Sequence, residues 1–516
     1  MNVPRIIHIP EPSLEFRFGQ LAEYPRDGLY LFGPVDASVS PRPIRYGVIG
    51  TQSSIRRFKE WAESVSGFIN TPPPGRMSKA IEAHHVPFPG FSEAFFCAWQ
   101  TEATRTIADI DETELRRRMS IGNRHEAIKS GVDVFVERLI SEQKRLEDPP
   151  NFWYVVIPEF VHALGRPKST VPASAKTKGS VSISEKTAAK LAIQPTLFGL
   201  DEMEAEVYKY AKNFRRQLKA RLLDHQIITQ IVRETTLTPH EFLKPNNRDL
   251  LRRVEDPATI AWKLCTGSYY KSGGRPWQLA GIRPGVCYVG LVYKQQPVMG
   301  DIRHACCAAQ MFLSDGEGVV FRGALGPWYN AETKQFHLDR ESAINLLNVV
   351  LQEYRLIHGG RYPEELFVHA KSTFSDEEWA GFSEACQGRS KVVGVQIADG
   401  FDQVKLYRPG DYPTIRGTAL LTDHRTGFLW TSGFIPRLDT YMGPETPNPL
   451  RVSVRRGDTD IKTVMSDVLA LTKINFNTCL FNDREPVTIR FADAIGDILV
   501  AAPVMTEPKL PFKFYI

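Results

Sequence analysis

Three short runs constrain the fold of this chain more than any other feature. Phe152-Trp-Tyr-Val-Val-Ile157 is apolar at every position and stopped by Pro158; Val286-Cys-Tyr-Val-Gly-Leu-Val-Tyr293 and Leu366-Phe-Val-His-Ala-Lys371 are almost as apolar. A strand with one wet face alternates apolar and polar residues, whereas one that is apolar throughout is covered on both faces, as in a parallel sheet packed between helices. After the Gly273-Gly-Arg-Pro-Trp277 turn, patterning predicts strands near 286–293, 305–313, 318–324, 365–369, 391–398, 403–407 and 415–422. Helices near 339–358 and 375–386, with a final one at 459–474, make this an α/β unit from about 284 to the end.

Upstream, the first hundred residues alternate apolar runs with Pro and Gly, including Gly28-Leu-Tyr-Leu-Phe-Gly-Pro34 and Tyr46-Gly-Val-Ile-Gly50. They predict strands and tight turns rather than long helix. The stretch 165–190, rich in Ser, Thr, Lys, Pro and Gly, reads as an exposed loop. Residues 199–234 read as mainly helical, and Ile227-Ile-Thr-Gln-Ile-Val-Arg233 as a short strand.

A chain of 516 residues suits two or three domains, and 42% apolar with 24% charged residues excludes extensive disorder. No run reaches the ~20 apolar residues of a membrane span, and Met1-Asn-Val-Pro-Arg5 lacks the plan of a secretion signal, so a cytoplasmic location is expected. The 7 cysteines include no CxxC pair, which predicts reduced thiols, with adjacent Cys306 and Cys307 packed in the core. A net charge of +5 is too mild to specify a nucleic-acid partner.

Its distribution says more. Lys209, Lys212, Arg215, Arg216, Lys219 and Arg221 follow one another without an intervening acid, giving a cationic helix on which Arg215 and Lys219 lie one turn apart. Such a pair can grip a phosphate, Arg through a two-donor fork and Lys as a compact charge; spacing alone favours a solvated charged face. Gln230 could donate an amide hydrogen to a phosphate oxygen or a base edge. Lys271 supplies a cation beside the flexible Gly273-Gly274 turn, whereas Trp277 reads as core.

Together these segments resemble the MID domain of Argonaute proteins, and the unit beginning with Gly285-Val-Cys-Tyr-Val-Gly-Leu-Val-Tyr-Lys294, continuing through Ala305-Cys-Cys-Ala-Ala-Gln-Met-Phe-Leu313 and ending in Pro511-Phe-Lys-Phe-Tyr-Ile516, resembles their PIWI domain. The likeness is to short prokaryotic Argonautes. It implies a Rossmann-like MID domain within residues 1–283 and an RNase H-like PIWI domain over 284–516. It further implies that Arg215, Lys219, Gln230 and Lys271 hold the 5′ phosphate of a guide strand, with Lys263 a rival for the second lysine. His often stands in such proteins where this chain has Arg215. The Ile516 carboxylate would help bind Mg²⁺ beside that phosphate.

In the same frame Val292 and Lys371 occupy places where active PIWI domains carry aspartates, and Asp493 matches the final acidic position. Neither an aliphatic chain nor an ammonium ligates Mg²⁺, so the resemblance implies a sheet that binds nucleic acid without cutting it. Lys371 would instead contact backbone phosphate or pair with Asp493. Asp301 or Asp399 would supply carboxylates if the strand register were different. The implied function is guide-RNA-directed recognition of single-stranded DNA from a plasmid or phage. An APAZ-containing effector partner, a TIR or sirtuin-like NADase or a nuclease, would deliver the response, with oligomerisation on target binding. The rivals are a nuclease that cuts the target itself and a stand-alone nucleic-acid-binding regulator.

Overall fold

The computed structural model describes residues 4–37, 43–72, 84–99, 106–193, 199–245, 248–281, 283–295, 305–312, 318–326, 328–332, 334–401, 403–441, 443, 445–503 and 509–516. Two sheets organise them. The smaller has four parallel strands in the order Ile107–Asp109, Tyr46–Gly50, Phe152–Ile157 and Thr229–Arg233. Phe152–Ile157 is buried at every position and hydrogen-bonded on both edges, the environment its composition demands. Each such aliphatic or aromatic side chain withdrawn from water contributes roughly 1.5–3 kcal/mol.

The larger sheet has ten strands: Arg5–His8, Thr418–Leu421, Thr426–Leu429, Leu450–Arg456, Lys391–Asp399, Glu365–Ala370, Val286–Gln295, Ala305–Phe312, Gly318–Gly326 and Lys509–Pro511, in that spatial order. Glu365–Ala370 runs parallel to both neighbours, Lys391–Asp399 and Val286–Gln295. Helix Val487–Leu499 crosses the sheet so closely that a Cβ on Gly290 would stand 2.1 Å from the Thr488 carbonyl oxygen. Only glycine admits that approach. The fold is thus mixed α/β, with a parallel sheet and a large sheet as expected. The N-terminal strand Arg5–His8, however, pairs with Thr418–Leu421, so the first residues of the 1–283 segment complete the other sheet.

Several local expectations fail for identifiable reasons. Residues 28–34 do not form a strand: Pro25 opens the helix Pro25–Leu31, where a fixed φ and a missing N–H carry no penalty. The first hundred residues also contain the 13-residue helix Gln52–Ser64, capped by the Thr51 hydroxyl and burying Ile55, Phe58, Trp61 and Ala62 at helical spacing. The 165–190 loop ends early, because the Ser184 hydroxyl accepts from Thr187 N and begins the helix Glu185–Ile193. Residues 403–407 form no strand. Thr426–Leu429 and Leu450–Arg456 were not anticipated, and Ile461–Leu471 is followed by the further helix Val487–Leu499.

Among the described residues no helix is long and apolar enough to cross a membrane. Cys97, Cys265, Cys287, Cys386 and Cys479 are free and buried. The side chains of Cys306 and Cys307, and the whole of Asp301, lie outside the described residues.

Candidate nucleic-acid interface

The predicted cationic helix is shorter than its charges suggest. Asn213 accepts from Arg216 N at 3.1 Å and caps Phe214–Leu223, leaving Lys209 and Lys212 in the approach to it. Nor is the run an unneutralised surface. Lys209 pairs with Glu206, Lys212 with Glu185 at 3.1 Å, Arg216 with Asp497 and Arg221 with Asp133 at 2.6 Å. Glu206 one turn away and three acids distant in sequence cancel the outward charges.

Lys219 and Arg215 pair with no acidic side chain among the described residues. Lys219 is 2% exposed, and its Nζ donates to the Thr229 carbonyl at 3.2 Å and to the terminal main-chain oxygen of Ile516 at 2.6 Å. Lys271, 1% exposed at the end of helix Pro257–Lys271, donates to the same Thr229 carbonyl at 3.2 Å and to Gln230 Oε1. Two ammonium groups thus share one backbone acceptor. Burial pushes the Lys219 pKa well below its ordinary value, with the positive charges of Lys271 and Arg215 adding to the effect; burial and Arg215 do the same to Lys271. Arg215 keeps exposed surface yet is ringed by protein, and that desolvation, with the charge of Arg216, lowers its pKa. It makes no hydrogen bond or ion pair among the described residues.

The structure therefore brings Arg215, Lys219, Gln230, Lys271 and Ile516 together from four segments of the chain. Lys263 is elsewhere, paired with Glu255 at 2.5 Å. Asn477 belongs to the same crevice and escaped sequence reading: a Cβ on Gly267 would stand 3.6 Å from Asn477 Oδ1 and 3.7 Å from Gln230 Oε1. Nothing in an Asn475-Phe476-Asn477 loop marks it in advance. Trp277 is fully buried, its Nε1 donating to the Lys473 carbonyl, as core.

A second polar group lies where Val286–Gln295 and Glu365–Ala370 end. Parallel register places Lys371, one residue beyond its strand, level with the buried Val292. Helix Val487–Leu499 brings Asp493 over both, and Lys371 Nζ lies 2.7 Å from Asp493 Oδ2 and 3.5 Å from Glu485. Burial works against the Lys371 charge, but the hydrogen bond it donates to Asp493 and the charge of Glu485 outweigh it and raise the pKa. Lys294 continues the chain of charge, 3.9 Å from Asp493 and 3.0 Å from Asp497, which also takes Arg216. Asp399 stands apart, paired with Arg484 at 2.6 Å. Among the described residues no group of three or more His, Cys, Asp or Glu is arranged to hold a metal ion.

No protein-family model matches the sequence, and no curated protein does. Solved structures do. The chain is similar over 99% of its length to Clostridium butyricum Argonaute bound to a guide DNA and a 19-mer target DNA, with a TM-score of 0.61 and 13% identity. It is similar over 98% to the A. aeolicus Argonaute with externally bound siRNA, at TM-score 0.55 and 14% identity, and over 97% to another crystal structure of that protein, at 0.54 and 13%. It spans about half of each, 55%, 55% and 54%. At such identities the likeness is one of fold, and the fold is that of Argonaute MID and PIWI domains.

Proposed function

We propose that this chain is a short Argonaute that holds the 5′ phosphate of a guide strand and recognises a complementary strand by base pairing. The observation that carries the reading is the burial of Lys219 and Lys271 against a single shared carbonyl, beside an Arg215 that is unpaired among the described residues. Of the three cationic side chains only Lys219 contacts the main-chain oxygen of Ile516, so an entering anion would find Arg215 and Lys271 without an acid among the described residues. Phosphate suits it: Arg offers two donors in a fork, the lysines offer compact charge, and Gln230 and Asn477 add amides. Sequence reading is left to pairing, so the protein needs only to hold phosphates and duplex shape.

Mg²⁺ fits the same place in part. It is commonly held by one or two carboxylates together with ligand phosphates, and here the Ile516 carboxylate and Gln230 Oε1 would be the protein's oxygens. The ion would neutralise charge between carboxylate and phosphate, while Lys219 orients the carboxylate.

The proposed protein binds its target without cutting it. Val292 offers no donor atom, Lys371 a cation, and Asp493 is engaged by lysines, whereas two-metal cleavage needs several converging carboxylates. Guide RNA, single-stranded DNA of plasmid or phage origin, and an APAZ-containing effector partner that supplies the response in prokaryotic immunity complete the reading; all three come from the family likeness.

The test compares 5′-phosphorylated with 5′-hydroxyl RNA of one sequence, bound to the wild type and to the Arg215→Ala/Lys219→Ala variant. Each charged hydrogen bond is worth about 1.5–3 kcal/mol, so wild type should prefer phosphate by at least about tenfold and the variant should not. Equal preference in both proteins would remove the pocket assignment. Metal-dependent cleavage of a paired target, lost in Asp493→Asn, would replace binding by nuclease action.

A further inference from the structure

A cavity of about 450 Å³ opens between the start of helix Arg124–Arg145 and the segments 185–191 and 202–212, with Lys209 and Lys212 on its rim. Ala188, Leu191, Ala205 and Val500 give it an apolar wall. One polar end stands out. His125 is 7% exposed, its ring packed against Tyr208 with centroids 4.9 Å apart. Its Nδ1 lies 2.9 Å from the Tyr210 carbonyl, an acceptor, so Nδ1 carries the hydrogen. In the neutral ring this leaves Nε2 with a bare lone pair, and Nε2 has no hydrogen-bond partner. Burial, with the charge of Lys212, lowers the His125 pKa against the opposing pull of the Tyr210 carbonyl and Glu185.

Nε2 faces a second acceptor. Glu185 Oε1 is 3.4 Å away, while Oε2 of the same carboxylate takes Lys212 at 3.1 Å. Where Nε2 carries no hydrogen, its lone pair and the carboxylate oxygen face each other as two acceptors, and a group bearing two N–H donors would satisfy both. The cavity has the volume of a small-ligand site, with an apolar body and few, convergent polar atoms.

We propose that this cavity binds a small aromatic molecule with an amidine-like donor edge, its N–H groups shared between His125 Nε2 and Glu185 Oε1 and its ring against Ala188, Leu191 and Val500. The ligand is separate from any nucleic-acid strand, and the proposal stands independently of the guide-binding reading.

Benzamidine is the probe, with benzoate as a control of the same shape whose edge accepts instead of donating. Titration of the full chain by calorimetry should show saturable benzamidine binding and benzoate binding at least tenfold weaker. Glu185→Gln, at a largely exposed position, should weaken benzamidine severalfold, and His125→Phe at least tenfold. A thermal melt verifies that each variant is folded; because His125 is buried, Glu185→Gln decides the matter if His125→Phe fails to fold. Equal binding of benzamidine and benzoate, or benzamidine binding untouched in Glu185→Gln, would overturn the proposal. Displacement of benzamidine by a short 5′-phosphorylated RNA would make the cavity part of the nucleic-acid site and overturn it as well.

Discussion

Lys371 Nζ and Asp493 Oδ2 lie 2.7 Å apart, so the cation at the end of the central strand is held by the carboxylate that helix Val487–Leu499 delivers to it. The pair belongs to a longer chain, Glu485, Lys371, Asp493, Lys294, Asp497 and Arg216, that ends on the helix carrying Arg215 and Lys219. Both members of the central pair are about half exposed, so the contact is weak and open to exchange with an entering phosphate. Asp493→Asn should loosen Lys371, leaving it the longer contact with Glu485, and leave Lys294 with Asp497 alone. Affinity for a guide-paired target should then rise severalfold at low salt, and the slope of log K against log salt should steepen by about one unit per freed cation. Fluorescence anisotropy across a salt series measures both, and an unchanged slope would show that neither lysine faces the target.

Much of this was legible in the sequence, and what was not has a common cause. The central strands were readable because burial on both faces leaves an unbroken apolar run, as in Phe152–Ile157. The edge strand Arg5–His8 was not, since its exposed pattern carries no such signal and its partner lies more than 400 residues away. Arg215 and Lys219 were legible as a pair, but their distinction from Arg216 and Arg221 was not. That distinction depends on Asp497 and Asp133, which only tertiary folding brings close. Asn477 was invisible for the same reason.

Glu11 joins the N-terminal segment to the C-terminal half through two buried cations: Arg416 at 2.8 Å and Lys473 at 2.7 Å. Burial alone would raise the Glu11 pKa, but Arg416 and Lys473 prevail and lower it. Glu11→Gln keeps the shape and leaves two buried cations without an anion, a change that typically costs about 3–5 kcal/mol. The expected result is a marked drop in the denaturation midpoint with unchanged preference for 5′ phosphate in the protein that remains folded. A midpoint within error of wild type would show that the two cations find other partners.

Ile516 is 5% exposed, and its terminal oxygen takes Lys219 at 2.6 Å. Extending the chain by one glycine moves the carboxylate outward and leaves a neutral carbonyl at Ile516. If the carboxylate holds Mg²⁺ beside the phosphate, the extension should abolish the dependence of 5′-phosphorylated RNA binding on added Mg²⁺ and weaken that binding about tenfold, the weight of one charged contact. Filter binding with and without EDTA measures this, and an undiminished Mg²⁺ effect would place the ion elsewhere.

The two buried lysines give the fold a pH dependence with a definite sign. Their folded-state pKa values lie below the ordinary 10.5. Between the depressed value and 10.5 the unfolded chain keeps protons that the folded chain has released, so raising the pH through that window stabilises the fold; below it both states are charged and the burial penalty is present in full. The Tm of the nucleic-acid-free protein should therefore gain from rising pH on the alkaline side of neutrality. Lys271→Met removes the cation without a carboxylate partner while keeping the Lys219 contact with Ile516. It should raise Tm at neutral pH by about one to two degrees, the equivalent of about 1 kcal/mol in a chain of this size, and flatten the pH dependence relative to wild type. A 5′-phosphorylated strand should flatten it too, because an anion restores the lysines toward their ordinary pKa. Parallel Tm-against-pH curves for wild type and Lys271→Met would show that the Lys271 ammonium is already compensated without an anion.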